Sequence, residues 1–137
     1  MAGADTERWQ HHYEPAVGER LVIELRRCLP WLEAALDEDA HGSTIHDVVE
    51  RLLHHDGFEL WPGQESAVVT ELYKGVLTCW LAGGLLEELE AMAPHIKEKA
   101  RRDGVSRIMI WGRRGWERTF LRGIGFEPRW TVMVQEL

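Results

Sequence analysis

A strand, two glycines, a helix, a further glycine and a second strand follow one another between Val76 and Trp111. No other part of the chain constrains the fold as much. Val76 to Leu81 is a β-prone apolar run. After Gly83-Gly84 the apolar period changes, and Leu85, Leu89, Met92, Ile96 and Ala100 recur at spacings of three and four. That spacing places them on one helix face. Pro94 predicts a kink or a break in this helix. Lys99, Arg101 and Arg102 suit its C-terminal end, where the helix dipole favours cations, and Gly104 closes it. Val105 to Trp111 is the second strand. Two strands joined by a crossover helix are parallel neighbours in one sheet.

The upstream half supplies the rest of an α/β fold. Residues 1–16 are polar and read as a flexible arm, leaving residues 17–137 as a single domain. Leu21, Leu25, Cys28, Leu29, Leu32 and Leu36 form a helical stripe, with Pro30 predicted to kink the helix or to open a second one. Ser43 or Thr44 can cap a short helix whose buried face holds Ile45, Val48, Val49, Leu52 and Leu53. Gly57 stops it. Phe58–Trp61 and Ala67–Tyr73 read as strands, with Pro62-Gly63 as a turn between them. With Val76–Leu81 they predict an antiparallel meander. Beyond Trp111, residues 116–122 read as a short helix and Trp130–Val134 as a last strand.

Composition limits the partners. A formal net charge of −7 argues against indiscriminate nucleic-acid binding. The charge is uneven, since residues 97–129 hold ten basic side chains against four acidic ones. That segment is either a set of solvated helix faces or an anion-facing patch. No apolar run is long enough to span a bilayer, and Met1 to Glu14 shows no apolar signal core. Cys28 and Cys79 make no disulfide framework, and Cys79 reads as a buried structural thiol. The seven histidines show no recognised ligand spacing, so no metal is expected. Of the seven tryptophans, Trp9, Trp31 and Trp61 are candidates for a partner surface.

The order of elements from Val76 to Leu137 resembles the acyl-CoA-binding half of GNAT-type N-acyltransferases. The stretches Trp80-Leu81-Ala82-Gly83-Gly84 and Gly112-Arg113-Arg114-Gly115-Trp116 are similar to those of small GNAT-like proteins encoded by tailed bacteriophages. The resemblance implies a GNAT-like mixed sheet of five to six strands with helices on both faces. It implies an acetyl-CoA site with Leu81, Ala82, Gly83 and Gly84 at the pyrophosphate. Arg113, Arg114 and Arg118 would lie near the adenosine 3′-phosphate end. Glu71, or a water, would take the amine proton, and Tyr73 is the available phenol.

The chain also departs from that pattern. The two glycines are adjacent, and no Arg or Gln opens the loop. Glu87, Glu88 and Glu90 occupy the helix start, where they satisfy the positive dipole end and repel phosphate. Leu121, beside Phe120, stands four residues before the Gly of Gly125-Phe126, where many members of the family carry a tyrosine. The expectation is a phage- or prophage-type protein with a degenerate acyl-CoA site. It would act through protein contacts with a phage or host component, in the virion or in the cytoplasm of a bacterial host. An acetyl-CoA-dependent N-acetyltransferase acting on an amine or protein acceptor is the alternative.

Overall fold

A computed structural model describes residues 11–39, 42–111, 119–130 and 133–137. In chain order these form α1 (Glu19–Leu36), α2 (Ile45–His54), β1 (Phe58–Pro62), β2 (Ser66–Tyr73), β3 (Val76–Gly84), α3 (Leu86–Arg102) and β4 (Arg107–Ile110), followed by a 3-10 turn at Arg122–Ile124. The four strands make one mixed sheet in the order β1-β2-β3-β4. The first three pair antiparallel, and β3 pairs parallel with β4 from Val76↔Arg107 to Cys79↔Ile110. The antiparallel meander and the parallel pair joined by a crossover helix are thus both present. Among the described residues the sheet has four strands. Trp130, Met133 and Val134, expected in a last strand, lie outside any strand and are exposed. Of the helix expected at residues 116–122, residues 116–118 lie outside the described residues, and Thr119–Leu121 form a bend and turn leading into the 3-10 turn at Arg122 rather than an α-helix.

Local chemistry accounts for most boundaries. Thr44 caps α2 in a reciprocal box: its hydroxyl accepts from the Asp47 N–H, and the Asp47 carboxylate accepts from the Thr44 N–H. These hydrogen bonds hold the Asp47 carboxyl below its ordinary range. Lys74 and Gly75 both have positive φ, the backbone that a two-residue hairpin between twisted strands requires. The Gly75 carbonyl then accepts from the backbone N–H and the hydroxyl of Ser106, which ties the start of β4 to that hairpin. Neither proline breaks its helix. α1 runs through Pro30 and α3 through Pro94, each helix giving up one backbone hydrogen bond.

Sheet residues divide between two cores. Leu60, Ala67, Val69 and Leu81 pack with Leu25, Cys28 and Leu32 of α1 and with Val48 and Leu52 of α2. Trp61, Val68 and Leu77 pack with Leu89, Met92, Ile96 and Ala100 of α3 and with Tyr13. Full burial of each large aliphatic side chain contributes about 1.5–3 kcal/mol. A β-bulge adjusts this division. Val69 pairs with Leu81 but Thr70 with Cys79, so Trp80 is an extra residue on β3. Cys79 therefore joins the α3 core, whereas Trp80 and Leu81 both join the α1–α2 core.

The N-terminal segment is part of the packed structure from Tyr13 onward. Tyr13 and Ala16 are buried, and the Ala16 N–H donates to the Leu60 carbonyl on β1 at 2.9 Å. The sequence alone read this stretch as the end of a flexible arm. Its two apolar residues are too few to show a period, so their burial was not legible there.

Candidate functional site

The end of β3, the start of α3 and the β1–β2 turn meet around one carboxylate. Glu88 lies in the first turn of α3 and is fully buried. Its Oε2 accepts from the Gln64 N–H at 2.8 Å and from the Tyr13 hydroxyl at 3.0 Å. Its Oε1 accepts from the Glu65 N–H at 2.8 Å and from the Ser66 hydroxyl at 2.5 Å. Four donors use the acceptor capacity of an ionised carboxylate nearly completely. Burial and the adjacent Glu88 charge push the Tyr13 phenol well above its ordinary pKa.

The same turn is held from its other side. Arg27 of α1 donates to the Gly63 carbonyl at 2.5 Å and to the Gln64 carbonyl at 3.1 Å. Glu24 accepts from the same guanidinium, which also stacks over Trp31. Gln64 and Glu65 thus give their N–H groups to Glu88, and Gly63 and Gln64 give their carbonyls to Arg27. Gly63 is glycine for a steric reason, since a Cβ there would run into Ser66 and Glu88.

Gly83 and Gly84 belong to this packing. A Cβ on Gly83 would meet the Trp31 carbonyl of α1, and one on Gly84 would meet the Glu65 carbonyl and Ser66. Gly84 also has φ +107°, which favours glycine. The Leu85 N–H donates to the Glu65 carbonyl at 3.0 Å. The backbone expected to cradle a phosphate therefore lies against α1 and the β1–β2 turn. Leu81 is buried in the α1–α2 core, and Ala82 is half-buried beside the α3 core.

The proton-transfer candidates lie elsewhere along the sheet. Glu71 is half-buried on β2, opposite Phe58 and Thr78. Tyr73 is exposed, pairs with Val76 at the start of β3, and has the Lys74 ammonium over its ring. Eight residues of β3 separate that end from Gly84, roughly 26 Å at the rise of an extended strand. Arg113, Arg114 and Arg118 lie outside the described residues. Leu121 is buried, and Phe120 packs against the α3 core.

The sequence reading missed two features. One is the inward direction of Glu88, which helical spacing encodes: it lies four residues before Met92, on the apolar face, whereas Glu87 and Glu90 do not. The other surrounds the bulge, where the Arg51 guanidinium lies 4.7 Å from the Trp80 ring and 5.9 Å from the Phe58 ring. Such a cluster joins residues from α2, β1 and β3, and no sequence spacing announces it.

Burial shifts both thiols toward the protonated form. Burial pushes Cys28 up to about 11. Part of Cys79 remains accessible as a residue, yet burial of its thiol pushes it up to about 12. Among the described residues, no group of three or more His, Cys, Asp or Glu side chains is placed to hold a metal ion. Among them too, no helix is long and apolar enough to cross a membrane. Comparison of the chain with protein-family models, curated proteins and solved structures gave no match.

Proposed function

We propose that this chain is a GNAT-like scaffold of the kind carried by tailed phages and prophages, with a degenerate acyl-CoA site, acting through protein contacts. The fold in this reading is a mixed sheet of five to six strands with helices on both faces. Its partner is a phage or host protein, met in the virion or in the bacterial cytoplasm. The observation that carries the loss of chemistry is the Glu88 cluster. A pyrophosphate site needs an open helix start with free backbone donors. Here a buried carboxylate stands in that turn, and the Leu85 N–H is already committed to Glu65. A dianionic phosphate pair would have to approach a fixed negative charge.

The β-bulge favours a second reading. Pairing of β3 with β4 stops at Cys79↔Ile110, one residue before Trp80. Strands that part there leave a gap in which the acyl arm of acetyl-CoA could lie. In this reading the protein is an N-acetyltransferase, with Glu71 or a water as base and Tyr73 as the available phenol. Calorimetric titration with acetyl-CoA separates the two. The scaffold reading predicts no heat of binding up to about millimolar ligand, a weak-affinity limit of roughly 4 kcal/mol. Micromolar binding would overturn it and restore the enzyme.

A further inference from the structure

Two histidines from distant parts of the chain meet where the N-terminal segment crosses α3. The His12 and His95 rings pack edge to face with centroids 5.4 Å apart. Tyr13 also packs edge to face with His95 at 5.3 Å, and His11 lies against Tyr13 at 6.1 Å. The segment is also held by hydrogen bonds from the Tyr13 hydroxyl to Glu88 and from the Ala16 N–H to Leu60, by burial of Tyr13 and Ala16, and by the Glu14–Arg20 ion pair. Histidine is the side-chain type whose charge ordinarily changes in the mildly acidic to neutral range.

We propose that residues 11–17 are an acid-released strap, clasped onto α3 by the uncharged His12–His95 pair and freed when both rings take a proton. Two imidazolium ions cannot keep this edge-to-face contact without bringing like charges together. Release withdraws Tyr13 from the α3 core and from Glu88, and frees the outer edge of β1 at Leu60.

The surrounding charges set the balance. On the segment itself, Glu14 lies 3.8 Å from His12 and 3.5 Å from Arg20, so its charge is shared. On α3, Glu88 is saturated by its four donors, and Lys99, one turn beyond His95, is held by Asp103 and by Glu59 of β1. The strand residues of this core, Trp61, Val68, Leu77 and Cys79, carry no charge at neutral pH. Among the described residues, no carboxylate is placed to stabilise the His95 cation. Burial, and then His12, hold its pKa below the ordinary value. Docking is therefore complete above the ordinary histidine pKa of about 6.5 and weakens as pH falls below it.

Hydrogen exchange at the Ala16 amide reads the strap directly. Corrected for intrinsic chemistry, protection should drop at least about tenfold between about pH 7.5 and about pH 5, while the Val69 amide stays protected. His95→Phe and His12→Phe keep a ring at the clasp but cannot titrate, and each should abolish that drop. Equal Ala16 protection at both pH values, or the same drop in both variants, overturns the strap. Should a variant misfold, the wild type decides alone. NMR titration of His12 and His95 must then share its midpoint with the loss of Ala16 protection, and an unlinked midpoint overturns the proposal.

Discussion

Glu88 shows how one buried side chain can hold separate parts of a fold together. A carboxylate in the first turn of a helix is favoured by the dipole, but burial would be costly without donors. Four donors from two separate segments meet that cost: Tyr13, and the consecutive residues Gln64, Glu65 and Ser66. Glu88→Ala leaves all four without their acceptor, two of them, the Tyr13 and Ser66 hydroxyls, in buried positions. The expected loss is on the order of 3–5 kcal/mol, the range for breaking a buried charged cluster. Tyr13→Phe removes only one donor and should cost about 1 kcal/mol. Urea unfolding of the two variants compares them, and equal small losses would show that Glu88 is not the centre of the cluster.

At the scale of elements, glycine pairs decide how closely α1 approaches the sheet. Gly83 lets the Trp31 carbonyl come within reach of β3, so Gly83→Ala must push α1 outward. Overpacking of this kind costs about 1–3 kcal/mol, and it should lower the thermal midpoint. Gly123→Ala, where a Cβ meets nothing, is the control and should leave the midpoint unchanged. The elements themselves were largely legible in sequence, because period and turn chemistry are local. The stripe through Leu25, Cys28 and Leu32, the Thr44 cap and the crossover between β3 and β4 are all written at short spacing. What lies between elements was not. Gly83-Gly84 reads equally well as a phosphate cradle or as a place for two backbones to touch. Only the position of Trp31, about fifty residues upstream, adds the second meaning. The bulge at Trp80 was hidden for a related reason. It shows only in the register against β2, where Thr70 meets Cys79 instead of Trp80.

The whole molecule carries its titrating groups so that stability is confined to a pH window. Each core holds a thiol with a raised pKa, Cys28 at about 11 and Cys79 at about 12, against an ordinary value of 9.0. Tyr13 is raised as well, by burial and by Glu88. Lys99 is raised by its hydrogen bond to Asp103. All four favour the protonated form in the folded state. Unfolding therefore releases protons at alkaline pH, and stability falls as pH rises. The contribution of the thiols is intact below about pH 9 and is lost through the range up to their folded values. His95 has the opposite sign and sets the acid side, since its lowered pKa favours the neutral ring. Denaturant midpoints should hold level between about pH 7 and about pH 8.5 and decline above that. Cys28→Ala and Cys79→Ala should each make the alkaline decline shallower, one from each core, while costing some stability at neutrality through lost packing. An alkaline slope identical to wild type in both variants would mean that neither thiol is shielded in the folded chain, and that the two cores are more open than their packing implies.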